Sequence, residues 1–179
     1  MTSRIRSQPA PADEAVVVGE EAFETFYRRE FRGVVGLAYA LSGSRMGAED
    51  LAQEAFMAAH QRWDKIAAYD KPAAWVRRVV ANMAISAFRK RAAEARALAR
   101  IAIHRQEALP ELEPEDEEFW NLVRGLPAKQ AQAIALFYLE DRSVADIARI
   151  IDCSPATAKV HLFRGRQTLA AKLNLEVSQ

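Results

Sequence analysis

Four residues near the carboxy terminus, Lys159, Val160, Phe163 and Arg164, share one sector of a helix, turned away from its apolar stripe. The stripe itself is Ala158, Leu162, Gly165, Leu169 and Leu173. A purely structural helix would not set Val160 and Phe163 among exposed bases. A helix that enters the major groove of duplex DNA has a use for both: apolar side chains meet thymine methyls, while arginine reads guanine or grips phosphate. Thr157 and Gln167 stand at the margins of the set. A second group lies in A-W-V-R-R-V-V-A-N-M-A-I-S-A-F-R-K-R, where Trp75, Arg78, Asn82, Ser86 and Arg89 fall within about a quarter turn. An aromatic plane, an amide and cations on one face suit single-stranded nucleic acid, whose bases stack and whose backbone needs positive charge. Trp75 taken by itself reads as a core tryptophan first, and as a stacking platform second. A third face, Asp50, Gln53, Glu54, Met57 and Gln61, opposes the stripe Ala52, Phe56, Ala59 and Trp63, and suits docking to a basic helix.

The elements that carry these faces follow from periodicity. Apolar residues from Phe23 to Leu41 recur at helical spacing, and S-G-S-R-M-G breaks the pattern at 42–47. A second helix is expected over about 48–63. The loop W-D-K-I-A-A-Y-D-K-P leads to a third, opened by Pro72 and running to about Arg91, with Val76, Val79, Val80, Met83 and Ala87 inward. New helices begin near Asp116. Ser143 is placed to cap one with Ile147, Ala148 and Ile151 inside; Asp152 and Cys153 form a tight turn, and Ser154-Pro155 opens the last helix. No strand-like alternation of any length occurs, so the chain is expected to be all-α, in two small helical bundles.

Domain bounds follow: a mobile tail at 1–19, a first unit at 20–92, a flexible acidic linker at 93–115, and a second unit at 116–175 with a helix-turn-helix at about 143–168. Fully extended, 23 residues reach at most roughly 75–80 Å, and two turns of B-DNA rise about 70 Å. The two units can therefore engage two DNA elements together, gaining avidity only at the spacing the tether permits. The short L-N-L-E-V-S-Q ending leads us to expect no appended regulatory domain.

Charge agrees with this division. Twenty-five Lys and Arg against 24 Asp and Glu nearly cancel, but in blocks. Eight bases between Trp75 and Arg105 face only Glu94; an acidic run from Glu107 to Glu118 follows, and Ser154 to Lys172 holds four bases and no acid. Two basic segments mark two places for a polyanion. A single cysteine, Cys153, rules out an intrachain disulfide and reads as a small filler in the turn. The histidines His60, His104 and His161 have no metal-ligand spacing, and no nucleophile elbow, P-loop or convergent carboxylate pair appears. The reading is therefore of a protein with no metal, no cofactor and no catalytic residues, and not an enzyme. No apolar run is long enough to cross a bilayer and no signal peptide opens the chain, so the expected location is cytoplasmic.

D-L-A-Q-E-A-F, then P-A-A-W-V-R-R-V-V-A-N, a distant L-P and a terminal S-P-A-T-A-K-V-H-L-F-R-G-R together resemble the extracytoplasmic-function (ECF) group of sigma-70 family RNA polymerase sigma factors. The resemblance runs from about residue 20 to 175, and the wording around Y-L-E-D-R-S-V-A-D-I-A is similar to an actinobacterial branch called the SigE family. It implies that Asp50, Leu51, Gln53 and Glu54 dock on the clamp helices of the polymerase core, with the flap as a further partner surface. Trp75, Arg78, Asn82, Ser86 and Arg89 would bind the melted −10 element, one base being flipped into a pocket made with the loop at about 64–71. Thr157, Lys159, Val160, Phe163 and Arg164 would contact the −35 duplex. An anti-sigma factor is a candidate partner. Ser86 stands where many relatives have aspartate, and Ala158 where many have valine. The competing reading is a stand-alone dimeric helix-turn-helix regulator, which leaves the D-L-A-Q-E-A-F and W-V-R-R motifs without a task.

Overall fold

The computed structural model describes residues 22–99 and 114–177, and every element among them is helical. The amino-terminal tail expected at 1–19 lies outside the described residues.

Helix α1 (Phe23–Ser42) stops because Gly43 takes a left-handed conformation, φ 70°, and returns its N–H to the carbonyl of Tyr39. A side chain at position 43 would also crowd the Arg124 guanidinium, 3.0 Å from where its Cβ would stand. Ser44 caps helix α2 (Arg45–His60), its Oγ accepting from the Gly47 N–H at 3.2 Å. The break expected at 42–47 is thus only two residues long. Helix α2 also ends earlier than its apolar stripe. Trp63 begins a separate single turn, α3 (Trp63–Ala67), and still reaches the stripe's side, its ring 4.8 Å from that of Phe26. Rings of Phe23, Phe26, Tyr27, Phe31 and Phe56 complete this aromatic end of the core.

Helix α4 (Pro72–Ala99) is longer than expected and covers 93–99, the start of the anticipated linker. Its A-A-E-A-R-A-L-A run is rich in strong helix formers and has no glycine or proline to stop it. Its buried stripe also differs. Val76 and Val80 are inside as expected, but Ala81, Ala84 and Ile85 join them, while Val79, Met83 and Ala87 are only half-buried.

Helices α5 (Pro114–Arg124), α6 (Ala128–Tyr138), α7 (Val144–Ile151) and α8 (Pro155–Val177) form the second unit. Leu173, expected in its core, is 37% exposed. The two units do not sit apart. Helix α7 packs on α4, and α5 and α6 pack on α1, so one continuous apolar cluster runs from Phe26 to Leu169. Among the described residues no helix is long and apolar enough to cross a membrane.

Candidate nucleic-acid and polymerase interface

The helix-turn-helix is built by two serine caps and one left-handed residue. Ser143 Oγ accepts from the Asp146 N–H at 3.1 Å and caps α7; Ser154 Oγ accepts from the Thr157 N–H at 3.1 Å and caps α8. Between them Asp152, φ 59°, turns the chain, and the N–H groups of Asp152 and Cys153 return to the carbonyl of Ala148. Closeness of α8 to α6 rests on Gly165, where a Cβ would stand 2.9 Å from Cγ1 of the buried Ile134. Burial pushes the Cys153 thiol pKa up, which suits a filler of the turn rather than a thiolate. Burial, with the charges of Lys129 and Arg164, lowers the His161 pKa and favours its neutral form.

This frame leaves Lys159, Val160, Phe163 and Arg164 exposed together on α8, with Phe163 61% and Val160 44% accessible. Thr157 is also exposed, but its hydroxyl lies 2.8 Å from Ser154 Oγ and is engaged in the cap. One turn further along, Arg166 stacks its guanidinium over Phe137 at 4.6 Å. No helical spacing encodes that pair, because its partners lie on different helices.

On α2 the expected division holds. Asp50, Gln53, Glu54, Met57 and Gln61 are exposed, and Ala52, Phe56 and Ala59 are buried. Leu51 is half-buried against the core, and so contributes packing as well as surface.

The α4 face is where sequence and structure part. Asn82, Ser86 and Arg89 are exposed, Trp75 and Arg78 half-buried. Arg78 is tied to the second unit: it donates to the carbonyls of Arg149 at 2.5 Å and Ile150 at 3.0 Å, and its guanidinium lies 3.3 Å from the Asp152 carboxylate. Asn82 Oδ1 accepts from Gln132 Nε2 at 2.7 Å. Trp75 lines a cavity of about 430 Å³ with Tyr69, Asp70, Lys71, Arg78 and, from the second unit, Arg149. Arg149 pairs with Asp70 at 2.9 Å, and Lys71 with Asp146. The first half of the 64–71 segment is helical, in α3, rather than loop.

Arg77, the neighbour of Arg78 in sequence, is outside the expected site and faces the other way. It is buried and bridges Glu30 at 2.7 Å and Glu140 at 2.5 Å. Ala73, Arg77, Val80 and Ala84 form one helical stripe, so its burial was legible in the spacing; its partners, 47 and 63 residues away, were not. Burial acts to raise the Glu30 pKa, but hydrogen bonds and charge from Arg29 and Arg77 outweigh it and hold the carboxyl below its ordinary range.

Comparison with known proteins gives this geometry its family. The family model described as Sigma-70 region 2 matches residues 26–94, and that described as Sigma-70, region 4 matches 116–169. The ECF RNA polymerase sigma factor SigW of Bacillus subtilis (strain 168) is 29% identical over 151 residues, 76% of this chain and 81% of that protein. The ECF sigma factor SigM of Mycobacterium tuberculosis (strain H37Rv) is 27% identical over 160 residues, 89% of this chain and 81% of its own. Among solved structures, the sigma factor RpoE in complex with the anti-sigma factor NepR from Bartonella quintana is similar, with a TM-score of 0.65 and 26% identity. That match covers 85% of this chain and 96% of the other. A dimeric regulator is not favoured, since the region 2 match accounts for the motifs that such a regulator leaves idle. Two matched regions in order, on a helical scaffold that carries both, make the chain a member of the sigma-70 family of RNA polymerase sigma factors, in its ECF group.

Proposed function

We propose that the chain docks on core RNA polymerase through α2, reads the −35 duplex with α8 and holds the melted −10 strand on α4. Asp50, Leu51, Gln53 and Glu54 make the polymerase contact. Lys159, Val160, Phe163 and Arg164 enter the major groove, with Thr157 at its edge, and Trp75, Arg78, Asn82, Ser86 and Arg89 take the single strand. The chain lowers the barrier to opening by giving binding energy to the opened form, and contributes no catalytic residue of its own. Its place of work is the cytoplasm, where polymerase and promoter are, and an anti-sigma factor would act on it there.

One observation carries this reading above the others: α8 exposes Val160 and Phe163 amid Lys159 and Arg164 while burying Ala158, Leu162 and Gly165. Apolar side chains kept in water at that cost have a destination in the groove. The test is run-off transcription with purified core polymerase on a genomic library of templates, followed by mapping of start sites. Discrete starts that share elements two helical turns apart are expected. Folded protein that directs no initiation overturns the reading. Glu54→Ala is expected to weaken core binding without altering the fold, and Phe163→Ala to impair initiation at the −35 step alone.

A further inference from the structure

The exposed charge of α8 does not end at Arg164. Arg166 stands within about 60° of Lys159 and Phe163 on the wheel of α8, between the open sector and the buried stripe of Leu162, Gly165 and Leu169. It is exposed, and its guanidinium lies 4.6 Å from the ring centre of Phe137 and 5.4 Å from that of Tyr138, both at the end of α6. Building on the assignment of α8 to duplex DNA, we propose that Arg166 is a further contact of that duplex, a phosphate grip that Phe137 and Tyr138 hold in position.

Charge and hydrogen bonding both leave Arg166 for a ligand outside the chain. Arg77, Arg78, Arg124, Arg142 and Arg149 each meet a carboxylate. Arg166, among the described residues, makes no ion pair and donates no hydrogen bond; its neighbours are two aromatic rings. No acid lies between Ser154 and Lys172 to compensate it. A ring attracts a cation without accepting a conventional hydrogen bond, so the N–H donors of the guanidinium stay available to the oxygens of a phosphate.

The rings supply the position. A free arginine side chain spreads over many rotamers, and fixing it costs entropy at the moment of binding. On α8 that cost is met in the folded chain. The rings of Phe137 and Tyr138 lie 5.1 Å apart, edge to face, and Gly165 lets α8 come close enough to α6 for Arg166 to reach both. Tyr138 is 51% exposed, and service to the cation gives that exposure a reason. Arg166 stands seven residues along α8 from Lys159, a rise of about 10 Å. A recognition helix meets base edges with its first turns, so a cation two turns further on meets the backbone of the duplex rather than a base. The duplex-facing surface then has two helices, α8 to read and α6 to steady the grip.

The test measures binding of the free, full chain to a short fluorescein-labelled duplex across a salt series. Arg166→Gln should lower the slope of log affinity against log salt by about one and weaken binding at low salt about tenfold. Arg166→Lys keeps the charge but not the fork, so it should keep the slope and lose about threefold in affinity. Tyr138→Leu leaves every charge in place; it too should keep the slope and weaken binding about threefold. A clasp that merely joins α6 to α8 gives another pattern: Arg166→Gln unfolds at lower urea while its salt line runs parallel to that of wild type. Parallel lines overturn the proposal, and so does a wild-type chain that binds no duplex at low salt. Full affinity in Tyr138→Leu overturns the aromatic positioning. With core polymerase, Arg166→Gln should weaken promoter binding by a similar factor at every mapped start site, because a phosphate carries no sequence. Loss at some promoters only overturns the backbone contact. A wild-type chain that directs no initiation overturns the proposed promoter function instead, while the salt series still decides Arg166.

Discussion

Arg78 closes the end of a helix to which it does not belong. Its guanidinium donates to the carbonyls of Arg149 and Ile150, two of the four that the last turn of α7 leaves without a helical partner. The other two are met by the N–H groups of Asp152 and Cys153 at Ala148 and by Lys129 at Ile151. The helix-turn-helix therefore borrows its cap from α4 of the first unit.

Arg77 differs from its neighbour in being fully enclosed, with Glu30 and Glu140 as its counter-charges. Arg77→Ala leaves Glu30 with Arg29 alone and Glu140 with Arg142 alone, both carboxylates largely buried, and is expected to destabilise the chain by about 3 kcal/mol. Urea unfolding measures this. A loss within about 0.5 kcal/mol, the range of ordinary surface positions, would show the site to be wet.

Acid should loosen the same contact region. Hydrogen bonds from Lys71 and then Ser143 hold the Asp146 carboxyl below its ordinary pKa, and Glu30 is also lowered. A lowered folded-state value gives stability that is whole above the unfolded value, about 4, and is lost as pH falls through the folded one. Stability is therefore expected to be flat near neutrality on account of these groups and to fall below about pH 4. Asp146→Asn should lower the plateau and shallow that acid slope. An identical slope in the variant would mean that the Lys71 contact does not form in solution.

Phe163 is exposed and Lys159 lies beside it, so neither is expected to support the fold. Phe163→Ala and Lys159→Ala should leave unfolding within about 0.5 kcal/mol of wild type. Their effects on promoter binding by holoenzyme should differ in kind. Lys159→Ala should reduce the dependence of log affinity on log salt by about one. Phe163→Ala should instead leave the salt dependence intact and narrow the gap between specific and non-specific templates. Parallel salt lines for wild type and Lys159→Ala would remove Lys159 from the phosphate contacts.

Gly165 trades helix propensity for proximity. Alanine there would gain roughly 1 kcal/mol as a helix former, but its methyl meets Ile134 at 2.9 Å in a fully buried position. Overpacking of this kind costs about 1–3 kcal/mol, so net destabilisation is expected. Combining it with Ile134→Ala should recover part of the loss, read as non-additivity in a double-mutant cycle. Strict additivity would show that α8 simply shifts away.

The sequence alone decided what depends on neighbours within a few turns. Helical spacing separated Lys159, Val160, Phe163 and Arg164 from Ala158, Leu162 and Gly165, and the serine caps at 143 and 154 stand where their residue types placed them. The same logic divided α2 into an inner stripe and an open face, and the order of motifs carried the family. It missed two helix ends: strong helix formers carried α4 through 93–99, and Leu173 proved exposed near the end of α8. The placement of one unit on the other was decided only by tertiary structure. Contacts such as Arg78 to Ile150 or Arg77 to Glu140 join residues more than 60 positions apart, and no periodicity encodes which distant partner a charged side chain will find. Spacing sorted Trp75, Arg78 and Asn82 onto one face; the fold determined that Trp75 and Arg78 are half-buried there against the second unit while Asn82 stays exposed.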